Sequence, residues 1–362
     1  MMIRLIKPYI SLSDVETTFA EIFQSGQFSK GNYIAQLEAA LANLLNCQYT
    51  FTTSSATTAL STALAVLGIG QGDEVIIADF SFPATANVVE NCGATPVFAD
   101  VDLHTYNLQS SDLENKYTAR TKAVIFVSCF GNPSGLLDVK QWCQQHKLWL
   151  IEDAACAIGS CENNQPCGSI ADLSCFSFHP RKLITAGEGG AIATNHGALA
   201  KQLSILLNHG ACSHQNNIAL DFIAAGYNYR LSELQAAMIL AQLPKLNDII
   251  TQRNAIRDYY IGELASLGFI PQTVDSNVTF NCQSVVFQVP ETISRDHLVF
   301  SLREQQIETT LGTYCLSATT YYQHKYHSVQ PNAEQLQNHT ITLPCFKDAP
   351  VDQVVDAIKW HL

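Results

Sequence analysis

Residues 174–195, S-C-F-S-F-H-P-R-K-L-I-T-A-G-E-G-G-A-I-A-T-N, decide how this chain reads. Two short apolar runs, 175–178 and 191–194, flank a turn that carries Lys182. Gly187, Gly189 and Gly190 lead from that turn into the second run. Glycine lets a backbone turn sharply and lets other segments approach closely. A lysine held among apolar and small residues loses solvation, so its pKa falls and part of it becomes a neutral nucleophile. Taken alone, the stretch also fits a solvent-facing lysine in a hairpin turn. The remainder of the chain decides between the two.

Upstream, apolar strands at 49–53, 74–78, 96–99, 123–127 and 148–151 alternate with helical segments at 57–67, 84–91 and 138–146. Leu60, Leu64 and Leu67 form one helical stripe. Such alternation predicts an α/β fold with right-handed crossovers and a mostly parallel central sheet covered by helices on both faces. Ligands of these sheets bind beyond the carboxyl ends of the strands. Segments 54–57, 80–85, 128–132 and 153–156 lie at those ends and can converge on one site.

An N-terminal arm and two helices, 15–23 and 33–45, precede the sheet. Ser11 to Asp14 caps the first, and Ile34, Leu37, Leu41 and Leu45 share a face of the second. Beyond the opening stretch come a helix to residue 207, a polar stretch at 209–217 and Gly226-Tyr227-Asn228-Tyr229-Arg230. A helix follows with Leu231, Leu234, Met238 and Ala241 on one face. Pro244 breaks it, and a more polar helix runs to about 267. After Gly268 the pattern changes to short strands (284–289) and helices (295–305, 351–361). The expected division is a large domain over 1–245, arm included, and a smaller C-terminal α+β domain over 246–362.

Composition narrows the function. Hydrophobic residues make up 47% of the 362 and charged residues only 14%, which points to surface buried in an oligomer. A formal net charge of −12 argues against a nucleic-acid or anionic-membrane partner. None of the twelve cysteines forms a C-x-x-C pair or zinc-ligand spacing, so they read as reduced core residues of a cytoplasmic protein with no metal site. No apolar run approaches the length of a membrane span.

Three features carry chemistry. Asp153 ends an apolar strand, where a carboxylate can pair with a ring nitrogen of a bound heterocycle; a plain turn or cap aspartate fits the same position. Ser54-Ser55-Ala56-Thr57 ends one strand and opens a helix, so its free N–H groups and hydroxyls can cradle a phosphate, with Ser177 adding a hydroxyl. Lys182 supplies the amine. Gly187-Glu188-Gly189-Gly190 lacks the spacing of a dinucleotide fingerprint. Cradle, carboxylate and lysine together are what a pyridoxal phosphate (PLP) enzyme needs.

On these motifs the chain resembles the DegT/DnrJ/EryC1/StrS sugar aminotransferases, of the aspartate aminotransferase (type I) PLP fold. The resemblance spans nearly the whole chain. It rests on Lys7-Pro8-Tyr9-Ile10, Ser25-Gly26, Gly72-Asp73-Glu74-Val75-Ile76, Ser81-Phe82-Pro83-Ala84-Thr85, Glu152-Asp153-Ala154-Ala155, Phe176-Ser177-Phe178 with Lys182, Gly187-Glu188-Gly189-Gly190 and 226–230. It implies that Lys182 carries the cofactor and that Asp153 partners its pyridine nitrogen. Phe82 is implied to stack on the ring, and Ala56, Thr57 and Ser177 to bind its phosphate. Asn228 is implied to reach the cofactor phosphate of a neighbouring subunit, hence a homodimer with shared sites.

Three positions depart from the family pattern. Ala56 stands where Gly is usual, so its φ must suit a Cβ. Cys156 stands where Gln or His contacts the cofactor's ring hydroxyl, which predicts a weaker or water-borne contact. Ser128 stands where His is frequent, which puts a substrate contact in doubt. Thr310 and Tyr314 are implied as sugar contacts, and Arg230 and Lys30 are candidates for a nucleotide diphosphate. The expected activity is transfer of an amino group, with glutamate as donor, to a nucleotide-linked keto-deoxy sugar. The alternatives are a PLP-dependent sugar dehydratase of the same family, against which the presence of Lys182 counts, or a non-catalytic PLP-binding regulator.

Overall fold

A computed structural model describes residues 2–212 and 219–361. Residues 213–217 of the polar stretch lie outside the described residues. The central sheet has seven strands: β1 (Tyr49–Thr53), β2 (Glu74–Ala78), β3 (Thr95–Ala99), β4 (Thr121–Val127), β5 (Trp149–Asp153), β6 (Leu173–Ser177) and β7 (Gly190–Thr194). Their order is β1-β7-β6-β5-β4-β2-β3. Strands β2 to β6 are parallel, and β7 lies antiparallel between β6 and β1. The expected α/β architecture is therefore present. The 174–195 stretch forms β6, the lysine loop and β7.

Helices α1 (Glu16–Ser25), α2 (Asn32–Leu45), α3 (Ala56–Val66), α4 (Ala84–Asn91), α5 (Leu136–His146), α6 (Gly197–Leu206), α7 (Glu233–Gln242) and α8 (Leu246–Leu264) surround the sheet. On one face Leu60, Ala63 and Leu64 pack with Ile77, Ile125, Ile151 and Leu173. On the other, Leu136, Val139 and Trp142 pack with Val124, Phe126 and Leu150. Burial on both faces explains why these strands read as continuous apolar runs.

The face expected for α7 is buried only in part, at Leu231 just before the helix. Ala236, Ala237 and Ile239 are buried, whereas Leu234, Met238 and Ala241 are half-buried. Ala236 and Ile239 join one core with Leu37, Leu41 and Leu45 of α2, and Met238 packs against it.

A second, antiparallel sheet holds β8 (Ile270–Pro271), β9 (Val285–Gln288), β10 (Thr310–Leu311) and β11 (Thr340–Leu343) in the order β8-β9-β11-β10. Helices α9 (Arg295–Glu304) and α10 (Val351–Trp360) cover it, with Leu298, Leu302, Val354 and Ile358 against Phe287 and Ile341. α8 serves both cores: Leu246 and Ile249 join the first and Tyr260 and Leu264 the second. The N-terminal arm also reaches the second unit. The Ile3 amide donates to the Gln306 carbonyl (2.8 Å) and the Cys345 amide to the Leu5 carbonyl (3.0 Å).

Candidate active site

Asp153 and Glu152 end β5 side by side, and strand alternation sends their carboxylates to opposite faces. Glu152 is fully buried and accepts from Ser128 Oγ (2.9 Å), Ser174 Oγ (2.9 Å) and the Gly168 amide (3.1 Å). It therefore belongs to the scaffold, and so does Ser128, which points inward rather than toward a substrate. Asp153 Oδ2 accepts from Thr85 Oγ1 (2.9 Å) and Oδ1 from the Ala155 amide (3.2 Å). Burial pushes the Asp153 carboxyl above its usual range, while these hydrogen bonds and the Lys182 charge oppose the rise. Among the described residues no cation lies within ion-pair distance of Asp153. A protonated ring nitrogen would supply the missing partner.

The cradle forms at the start of α3. Ser55 caps the helix: its Oγ accepts from the Thr58 amide (3.1 Å) and its amide donates to Thr58 Oγ1 (3.0 Å). The Ala56 and Thr57 amides donate to nothing among the described residues, as the first turn of a helix dictates. Ala56 has helical backbone angles, so its Cβ costs nothing there. Gly190 is the residue that must lack a side chain. A Cβ on it would strike the Ser55 carbonyl and lie 2.7 Å from the Ala56 nitrogen. Register places Gly190 abreast of both Thr53 and Ser177, and the Ser177 hydroxyl accepts from the His179 amide (3.4 Å).

Lys182 is half-buried in a loop pinned at several points. Its amide donates to the His179 carbonyl (2.9 Å), and the Ala186 amide and Thr185 Oγ1 donate to Phe178 O (3.0 and 2.9 Å). Leu183 and Ile184 are buried. Gln283, from the second unit, accepts from the Leu183 amide (3.1 Å) and donates to Arg181 O (2.7 Å). Lys182 Nζ donates to Cys156 Sγ at 3.1 Å. Cys156 thus replaces the expected ring-hydroxyl partner with a thiol that faces the lysine itself.

Gln283 and Asn281 were not legible as site residues. Asn281 Nδ2 donates to Cys156 O (2.7 Å) and Ile158 O (2.9 Å), so one loop braces both the cysteine and lysine segments. Arg253, fully buried, holds that loop through Cys282 O (2.7 Å) and Gln283 O (2.6 Å). These contacts join residues at least 29 positions apart, and no local pattern marks them. Thr85 was visible only as part of the Ser81-to-Thr85 motif.

The remaining candidates are more exposed. Phe82 is 65% exposed, and its ring meets Tyr314 edge-on at 6.4 Å. Tyr314 reaches it because its short strand pairs Ser81 with Tyr314. Thr310 sits on β10 and lines a cavity of about 90 Å³ with Arg181, Arg253 and Gly312. Asn228 is exposed, on a segment whose next carbonyl, Tyr229 O, accepts from the Ser54 amide (2.8 Å). Lys30 Nζ donates to Asn208 Oδ1, and Arg230 is half-buried nearby in sequence to Asn228.

A buried carboxylate lacking a cation, two open amides beside a glycine of enforced closeness, an exposed aromatic and a pinned lysine fit PLP. The fold and this donor set define a PLP-dependent aminotransferase. The chain belongs to the DegT/DnrJ/EryC1/StrS aminotransferase family, whose model matches residues 12–359. It is 35% identical to the GDP-perosamine synthase of Escherichia coli O157:H7 over 328 residues, 90% of this chain and 88% of that protein. Among solved structures, it is similar to PseC of Helicobacter pylori, an aminotransferase involved in the biosynthesis of pseudoaminic acid (TM-score 0.93, 26% identity, 99% of each chain). It also matches the putative sugar aminotransferase Spr1654 of Streptococcus pneumoniae in its PLP form (TM-score 0.91, 26% identity, 99% of this chain and 97% of that one). Among the described residues no helix is long and apolar enough to cross a membrane, and no cluster suits a metal ion.

Proposed function

We propose that this aminotransferase moves an amino group from glutamate to a nucleotide-linked keto-deoxy sugar, as a cytoplasmic homodimer, in the making of an amino sugar for a surface polysaccharide. The observation that carries this reading is the buried, cation-free Asp153 in one site with Lys182 and the open α3 terminus. PLP supplies an electron sink for the negative charge left when the donor's α-proton departs. Lys182 Nζ anchors the cofactor and, once freed, takes and returns that proton. Asp153 keeps the ring nitrogen protonated, each pKa unit contributing about 1.4 kcal/mol of preference. Phe82 and Cys156 would contact the cofactor's ring, and the Ala56 and Thr57 amides with Ser177 Oγ would hold its phosphate.

The relatives' printed activities support a sugar acceptor. Tyr314 and Thr310 are assigned to the sugar, and Arg230 and Lys30 to its diphosphate. Asn228 is assigned to a partner subunit's phosphate site. Exposed Leu220, Phe222 and Ile223, together with the half-buried α7 stripe, support a dimer surface. The division into 1–245 and 246–362 is kept as a proposal, with α8 and the arm as shared elements.

The test is a two-stage assay. Glutamate alone converts the cofactor spectrum from the PLP to the pyridoxamine phosphate form, and a nucleotide-linked keto-sugar restores it. Conversion by no amino donor would contradict the transaminase reading. Restoration by free keto acids but by no nucleotide keto-sugar would contradict the acceptor.

A further inference from the structure

The Lys182 amine and the Cys156 thiol are in contact at 3.1 Å, with both side chains half-buried. The backbone that carries each is held. Asn281 holds the Cys156 carbonyl and Gln283 holds the lysine loop, and both residues lie on one short segment. The neighbouring thiols are different. Cys129, Cys167 and Cys175 are buried, and burial pushes each thiol well up from its ordinary value. Buried thiols of that kind are inert. An oxidant that enters the site therefore meets Cys156 first.

We propose that Cys156 is a redox-modification site whose oxidised form Lys182 captures as a reversible sulfur–nitrogen cross-link. The oxidant is a peroxide. The sulfur attacks the O–O bond, gives up two electrons and becomes a sulfenic acid, and one water leaves. The neutral Lys182 amine then attacks that sulfur. An S–N bond forms, the S–O bond breaks, and the hydroxyl leaves with one amine proton as a second water. The net change is one thiol, one amine and one peroxide to one sulfenamide and two waters. A thiol reductant reverses it by cleaving the S–N bond.

The amine must be free for this chemistry. PLP joined to Lys182 would protect the pair, and the pyridoxamine phosphate form would leave it open. That state dependence rests on the transaminase reading above, whereas the cross-link in cofactor-free protein does not.

The experiment treats the purified protein with hydrogen peroxide in mildly alkaline buffer in three forms: stripped of cofactor, loaded with pyridoxamine phosphate and loaded with PLP. Peptide mass spectrometry then reads residues 156 and 182. The expected result is a joined peptide pair lighter by two hydrogens in the first two forms and absent from the third. Dithiothreitol should remove it, and Cys156→Ser or Lys182→Arg should abolish it. Sulfinic or sulfonic Cys156 without a link in the stripped protein overturns the proposal, as does an unmodified Cys156. A link equally abundant in the PLP-loaded form leaves the pair standing and overturns the attachment of PLP to Lys182.

Discussion

The two sides of the site are built differently. The side assigned to the cofactor consists of strand ends and a helix terminus locked by buried or part-buried hydrogen bonds: Asp153 by Thr85, Ser55 by Thr58, and the Lys182 loop by Phe178 and Gln283. The side assigned to the substrate consists of exposed or half-exposed groups on short segments, such as Tyr314 at 40% and Thr310 on β10. Fixed chemistry is placed where the sheet leaves no freedom. Selectivity is placed where side chains can change without disturbing the core. Substitutions on the cofactor side should therefore abolish both half-reactions, and those on the substrate side only the second.

Lys182→Ala should have the largest effect, a loss of at least about 10⁴-fold in both half-reactions. Stopped-flow spectra with glutamate alone measure it, and retention of near-normal conversion would break the comparison. Asp153→Asn removes the charge proposed to keep the ring nitrogen protonated. Two pKa units of lost preference predict about a 100-fold slower donor half-reaction with cofactor still bound. Near-normal turnover would remove Asp153 from its role.

Gln283→Ala sharpens the comparison, because it touches the lysine loop from the second unit. A displaced loop predicts kcat lower by about tenfold or more in both half-reactions, with little change in KM for the sugar. An effect confined to KM would place Gln283 on the substrate side. Tyr314→Ala should raise KM for the sugar by about tenfold and leave the glutamate half-reaction unchanged.

The smallest effect on turnover is expected at Asp79, which anchors the segment carrying Tyr314. It accepts from Ser317 Oγ (2.6 Å), the Ser317 amide (2.7 Å) and Cys315 Sγ (3.2 Å). Burial raises its carboxyl from 3.8 to about 6 despite those bonds. Folding therefore favours the protonated form. This contribution is complete below pH 3.8 and lost as pH rises through about 6, and it is on the order of 3 kcal/mol. Asp79→Asn should flatten that part of the stability profile in denaturant titrations at a series of pH values. An unchanged slope would show that Asp79 does not titrate there.

The same contrast explains what could be read from the chain. The strands of the parallel sheet were legible because both faces are buried and their runs are uniformly apolar. Asp153 was legible as chemistry because it ends such a strand, and Lys182 because it sits in a turn that leads through Gly187, Gly189 and Gly190 into the next strand; their assigned roles came from motif order. The apolar face at α7 was legible only in part: Leu231 is buried, whereas Leu234 and Met238 are half-buried beside the buried Ala236 and Ala237. Gln283, Asn281 and Arg253 carry no local signature, because their partners come from distant parts of the chain. Cys156 was legible as a departure from pattern, but only the structure gives its contact with Lys182.

Borohydride reduction of the PLP-loaded protein, followed by peptide mapping, tests the central claim most directly. The account predicts one reduced pyridoxyl adduct, on the peptide containing Lys182. An adduct on any other lysine, or cofactor that stays bound without forming one, would contradict it.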